Sequence, residues 1–320
     1  MSTNQPTPRD LHRIGAQIYN KPWAITDEYM DRICGIFEHA KQAGSGAVHP
    51  DFKSLDDLFD VAGTSRTVKG MTAFPGGKEQ SEFARRIAMI QGVAVIPVFG
   101  VLTPRASWMD NVSDLTSYEQ LDRMLSDALA VDPSAIALEI DSPGGNCLGL
   151  EEIAARINEL ASMAATPPII AVVNPFCASA AYYIASQCNS IHIDPSGMIG
   201  SIGTLCRMTY QPLELHTVKS AELKTIAQGS MSLAQLEDIA ASVRTFFEQF
   251  RNAIERGRPR LDVDAVATGQ MWIGQGAVEA GIADQIGGLQ GVIDTYGDDE
   301  FDDDGALEML YQSESDYAVL

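Results

Sequence analysis

Ala135-Ile136-Ala137-Leu138-Glu139-Ile140-Asp141-Ser142-Pro143-Gly144-Gly145 is the stretch that decides the fold. Five of the first six residues are apolar, and the run reads as a buried strand. It stops at a Pro-Gly-Gly turn. Two glycines at a strand-to-helix turn free the backbone for positive φ and leave N–H groups pointing outward. Such a nest can hold an oxyanion or a phosphate, and a plain tight turn would use the same residues.

Outward from this stretch the pattern repeats. Upstream lie a strand over Val93–Phe99 and a polar helix over Ser117–Ala130. Downstream come a helix over Leu148–Ala164, a strand over Ile169–Val173, a helix over Ala178–Cys188 and a short strand over Ile191–Ile193. Strands alternating with helices at this spacing mean βαβ units and an α/β fold. A long amphipathic helix is expected over Ser232–Arg256, with Ile239, Val243, Phe246, Phe247 and Phe250 as core or interface surface. Shorter helices follow over Asp262–Thr268 and Gly274–Ala280, the second closed by Gly281.

The flanks differ from this body. Residues 1–91 read as an N-terminal helical and irregular extension: a helix over Thr26–Gln42, then a Gly-, Ser-, Thr- and Asp-rich stretch with one short helix near Leu55–Val61. Residues 92–293 form the main domain. Residues 294–320 form an acidic tail with ten Asp and Glu and no Lys or Arg. A tail of this composition is expected to be disordered.

With 320 residues, 45% apolar and 20% charged, the chain is a globular one with ample core. Its net charge of −21 argues against sequence-independent nucleic-acid binding, which needs a basic surface to displace counterions. Cys34, Cys147, Cys177, Cys188 and Cys206 are odd in number with no CxxC pair, so neither a zinc site nor a disulfide framework is expected. A reducing, cytoplasmic setting is the simplest reading. The N-terminus lacks the apolar stretch of a secretory signal, and no run of 18 apolar residues suggests a membrane span. Neither metal nor cofactor is expected.

Two further segments could carry chemistry. In Asn174-Pro175-Phe176-Cys177-Ala178-Ser179-Ala180-Ala181-Tyr182-Tyr183 a serine sits among small residues where a strand gives way to a helix. Small neighbours admit another backbone, and the helix start offers N–H donors to a developing negative charge. Ser179 could equally be an ordinary N-cap. The other segment runs from Gly200-Ser201-Ile202-Gly203-Thr204 to Val218-Lys219-Ser220-Ala221-Glu222-Leu223-Lys224. A serine nucleophile needs a base. His12, His39, His49, His192 and His216 offer little, His216 alone being a weak contender. A lysine held neutral by desolvation can serve, which makes Lys219 and Lys224 candidates.

Asp141–Gly145, Cys177–Tyr183 and Gly200–Thr204, in this order, resemble the signal-peptide-peptidase-A-like family of Ser/Lys-dyad serine peptidases, whose fold is the ClpP/crotonase superfold. The resemblance runs from about Gly92 to Ile293 and includes the closing segment Trp272–Asp284. It implies Ser179 as nucleophile, Lys224 as general base and Ser201 as the hydroxyl that orients the amine. It also implies Gly145 and Ala180 N–H groups as the oxyanion hole. Two departures stand out. Ala180-Ala181 follow the serine where the family often has glycine, and the Ser201–Lys224 interval is short, which keeps Lys219 a rival base.

His12–Trp23 together with Ile90–Gly100 further resemble the head-maturation, or capsid assembly, proteases of phages and prophages. The resemblance implies an extended protein or peptide substrate, such as a capsid or scaffold protein, laid along the edge near Gly144 and Asn146. It also implies a homo-oligomer, in host cytoplasm or procapsid. Three alternatives stay open: a soluble bacterial peptide-degrading relative, a catalytically inactive scaffold of the same fold, and a crotonase-type acyl-CoA enzyme that would use the turn without the serine.

Overall fold

A computed structural model describes residues 22–26, 29–31, 34, 87–105, 115–206 and 233–307 of the chain. In order, its strands are β1 (Pro22–Ile25), β2 (Ala88–Ile90), β3 (Val93–Phe99), β4 (Leu102–Thr103), β5 (Thr116–Ser117), β6 (Ala135–Ser142), β7 (Gly144–Asn146), β8 (Ile169–Ala178), β9 (Ser190–Ile193), β10 (Met198–Gly200), β11 (Leu205–Cys206), β12 (Met271–Ile273) and β13 (Gln285–Ile286). The helices are α1 (Tyr118–Ala130), α2 (Leu150–Ser162), α3 (Ala180–Ala185), α4 (Leu233–Gly257), α5 (Val263–Val266), α6 (Gln275–Glu279) and α7 (Leu289–Tyr296). The α/β class built from βα units that was expected from the sequence is borne out.

The larger sheet follows the path β12-β10-β8-β6-β3-β2, with β9 and β13 branching from β8. Strands β3, β6, β8, β9 and β10 are joined by parallel pairings. Their near-continuous apolar sequences follow from burial on both faces. Ala94, Ile96, Val98, Ile136 and Leu138 enter the main core with α1, α2, α3 and α4. Their neighbours Val93, Val95, Ala135 and Ala137 turn to the other face, against Val292 and Ile293 of α7. Helix α1 begins with a capping box: the Ser117 hydroxyl accepts from Gln120 N, and the Gln120 side chain accepts from Ser117 N.

Strand β8 runs five residues beyond the expected Val173. Pro175 has no N–H to give a ladder, and pairing changes there. Strand β6 stays alongside, with Ile136–Ile140 opposite Ile169–Val173 and Ser142 opposite Cys177, while on the other edge β9 pairs with Ile170–Val173 and β10 with Phe176–Ala178. The helix expected over Ala178–Cys188 is correspondingly shorter, Ala180–Ala185. Of the helix expected over Thr26–Gln42, Tyr29–Asp31 and Cys34 are helical, and its remaining residues after Thr26 lie outside the described ones. The short helix near Leu55–Val61 lies outside them too.

A smaller sheet, β11-β1-β7-β4-β5, lies beside the first. Its strands are two to four residues long. Pro22–Ile25, read from the sequence as part of a separate extension, is an interior strand of this sheet.

The acidic tail also corrects an expectation. Through Leu307 it is folded rather than disordered. The Asp303 carboxylate accepts from Gln91 N (2.7 Å) and Gly92 N (2.9 Å), and Asp298 N donates to Gln91 O (2.7 Å). Phe301 packs over Gly92, where a Cβ would sit 3.0 Å from its ring. These acids are therefore acceptors for the β2–β3 turn. Asp303→Ala strips both amides of a charged acceptor, and urea denaturation should register a loss of about 1–2 kcal/mol.

Candidate active site

Ser179 occupies the joint between β8 and α3, with φ +55° and ψ −115°. Few residues with a Cβ adopt such a backbone, and holding one there costs about 1–3 kcal/mol. The conformation is fixed on both sides: Ser179 N donates to Gly200 O (2.7 Å), and Tyr183 N donates to Ser179 O (2.9 Å). The hydroxyl does not cap α3. It donates instead to Gly203 O at 3.2 Å. The N-cap alternative is thereby excluded, and Ser179 is fully buried.

The glycine turn meets this joint directly. Gly144 has φ +99°, and a Cβ placed on it would lie 2.2 Å from Ala24 O, 2.9 Å from Ala178 O and 3.0 Å from Ala180 N. Residues on both sides of Ser179 thus press against Gly144. A Cβ on Gly145 would lie 2.0 Å from Leu102 O, so this position also excludes a side chain. Ser142 holds the turn, its hydroxyl donating to Gly100 O (2.6 Å) and accepting from Gly144 N (3.2 Å). Sequence reading missed Ser142 as a positioning residue, although a hydroxyl two residues before a glycine is a familiar turn signal.

The third segment closes the site. Gly200 has φ +132° and Ser201 φ +51°, and Ser201 N donates to Gln270 O (2.8 Å). This curve carries Gly203 O to the serine hydroxyl. Thr204 is fastened in turn, its hydroxyl donating to Val243 O of α4 (2.8 Å).

The structure therefore gathers Ser179, Ala180, Gly144 and the Gly200–Gly203 curve, with Gly145 next in β7. It uses Asn146 differently: the Asn146 carbonyl accepts from Tyr118 Oη (2.5 Å), and its side chain accepts from Leu148 N (2.8 Å). Nor is Gly144–Asn146 a free edge, because β7 lies between β1 and β4. Lys219, Lys224 and His216 lie outside the described residues. His192 lies in β9 with its ring facing the Gln285 side chain, and burial lowers its pKa against a partial opposing pull from Asp284.

Cys177, two residues before the serine, is fully buried, and burial pushes its thiol pKa up, which silences it as a nucleophile. Behind α3, Tyr183 donates to the Glu151 carboxylate and to Gln249 O (3.1 Å). Arg256 reaches both Glu151 (2.8 Å) and Gln187 (3.2 Å). This network ties α2, α3 and α4 together beneath the serine. Among the described residues, no group of acidic, His or Cys side chains is arranged to hold a metal, and no helix is long and apolar enough to cross a membrane.

An α/β fold with a buried serine at a strained strand-to-helix joint beside a double-glycine turn is the architecture expected of the peptidase group recognised in the sequence. That recognition is borne out: residues 161–299 match the model of Peptidase family S49. The match takes in Ser179, Ser201, Lys219 and Lys224 and leaves the glycine turn outside. The chain is 29% identical over 87% of its length to head-tail preconnector protein GP5 of Enterobacteria phage P21, covering 55% of that protein. It is 25% identical over 87% of its length to capsid assembly protease C of Escherichia phage lambda, covering 63% of it. It is also 27% identical over 74% of its length to the chloroplastic serine protease SPPA of Arabidopsis thaliana, covering 34% of it. The chain thus spans a third to somewhat under two thirds of the length of these relatives.

Proposed function

We propose that this protein is a serine endopeptidase that hydrolyses peptide bonds through Ser179 and an acyl-enzyme, with Lys224 as base. The observation that carries the reading is the Ser179 joint: a buried hydroxyl, excluded from capping, held at φ +55° with the Ala180 amide and the glycine turn against it. Neutral Lys224 takes the Ser179 Oγ proton as the oxygen attacks the scissile carbonyl. Gly145 and Ala180 amides donate to the tetrahedral oxyanion, each worth on the order of 10²–10³ in rate. The lysine ammonium then protonates the leaving amine, and the C–N bond breaks. Water, deprotonated by the same lysine, releases the acid and restores the serine. Ser201 orients the amine.

A capsid-maturation role, in procapsid or host cytoplasm and in a homo-oligomer, is part of this proposal. The two phage relatives each align with 87% of the chain and support it.

Mass spectrometry of casein, or of a co-expressed capsid protein, after incubation with the protein tests the reading. New termini are expected with the unsubstituted chain. Lys224→Ala is expected to remove them and Lys219→Ala to leave them, with rate losses of at least about 10³-fold and under about tenfold respectively. The reverse pattern reassigns the base, and no cleavage under any condition favours an inactive scaffold.

A further inference from the structure

The two strands that bracket β1 each lead to the Ser179 joint. On one side β1 pairs antiparallel with β7, Trp23, Ala24 and Ile25 standing opposite Asn146, Gly145 and Gly144. On the other side it pairs antiparallel with β11, Pro22 and Trp23 standing opposite Cys206 and Leu205. Strand β7 carries the glycine turn. Strand β11 begins two residues after Gly203, the acceptor of the serine hydroxyl. An extended segment of the chain's own N-terminal region therefore lies in a two-sided slot over the nucleophile.

Its register brings the backbone to the reacting atoms. Ala24 O and Ala180 N both lie within 3.0 Å of one point, where a Gly144 Cβ would stand. A carbonyl of β1 thus sits at the turn that would receive a substrate carbonyl. Thr26 N donates to Pro143 O (3.3 Å), which extends the pairing past Ile25.

Side chains divide by face. Trp23 and Ile25 form a small separate cluster with Met30, flanked by Val101 and Leu205. Ala24 alone points toward the main core, over a cavity of about 10 Å³ that Tyr183, Thr204 and Phe250 help to line. Strand β1 is held by its ladders and a satellite cluster, and it leaves the space below Ala24 unfilled.

We propose that residues 22–25 are an internal occupant of the peptide-binding slot between β7 and β11, and that an extended peptide substrate enters by displacing this strand. The proposal rests on the peptidase reading for its consequence on turnover and on strand pairing alone for its consequence on binding. A tethered strand competes at high effective concentration, so the slot's apparent affinity for a free peptide falls by the fraction of time β1 is out.

Hydrogen exchange of Ser179→Ala protein, with and without a millimolar capped peptide copying residues 20–27, is the test. Exchange at the amides of residues 23–25 should quicken about tenfold with the peptide while 144–146 stay protected. In parallel, Trp23→Ala should raise kcat/KM on a short unstructured peptide about five- to tenfold, through KM. Ala24→Pro, which removes a ladder N–H, should act in the same direction if Trp23→Ala fails to fold. Unchanged exchange at 23–25 in the presence of peptide overturns the proposal, as does unchanged or lowered kcat/KM in a folded β1 variant of a protein that cleaves. Loss of all cleavage with the exchange swap intact overturns the peptidase reading and keeps the displaced strand.

Discussion

Ser179→Ala should abolish peptide-bond cleavage while leaving the melting temperature within a few degrees of the parent. The hydroxyl makes one described hydrogen bond, to Gly203 O at 3.2 Å, and caps nothing, so little of the fold depends on it. In the proposed mechanism all covalent chemistry passes through it. Loss of a nucleophile in serine hydrolases costs on the order of 10⁶ in kcat, and a fall of at least about 10⁴-fold is the expected reading. Ser179→Gly is the sharper companion. Glycine adopts φ +55° without a Cβ penalty, which offsets its entropic cost. That variant should be equally inactive and at least as stable, by thermal melting and cleavage assay together. Activity on an acyl-CoA that survives Ser179→Ala, with no peptide cleavage by the parent, would move the protein to the acyl-CoA alternative, in which the glycine turn works without a nucleophile.

Gly144→Ala carries the second large effect. The added methyl would stand 2.2 Å from Ala24 O, 2.9 Å from Ala178 O and 3.0 Å from Ala180 N, all backbone atoms that no rotamer change can move. Positive φ adds a penalty of about 1–2 kcal/mol for any side chain. Overpacking adds about 1–3 kcal/mol more. The backbone must yield, and the atoms next to Gly144 are those flanking Ser179. A displacement near 1 Å suffices for about a 10²-fold loss of rate. Chemical denaturation and kcat/KM should therefore both fall. A variant with parental stability and activity would show that β1 and the serine joint are not packed against this glycine.

Much of this site could be read from residue pattern alone because its parts carry strong local signals. Val93–Phe99 is β-rich over seven consecutive residues, and its strand has those bounds. Ser117 with Gln120 is a capping pair, and α1 starts there. The double glycine marks a close backbone approach, which Ala24 O and Leu102 O supply. The small sheet was not legible, since strands of two to four residues show no periodicity. Pro22-Trp23-Ala24-Ile25 has β-forming residues, yet only its partners Gly144–Asn146 and Leu205–Cys206, more than a hundred residues away, make it a strand. Pro175 looked like the end of β8 because its missing N–H usually breaks a ladder. The strand survives because β6 pairs with it on both sides of that point, while β10 takes over from β9 on the other edge. The acidic tail misled by composition. Asp303 is one acid among many until Gln91 and Gly92 present two amides to it.

Helix α4 has a further consequence for the serine. Its first turns project outward, with Leu233 74% and Leu236 39% exposed, whereas Phe250, Ala253 and Ile254 are rooted in the core. Between the exposed first turn and the root, Val243 O holds the Thr204 hydroxyl. The helix is thus a strut with the Gly203 curve bolted to its midpoint. A shift of α4 at Val243 would therefore act one residue from the carbonyl that accepts from the Ser179 hydroxyl.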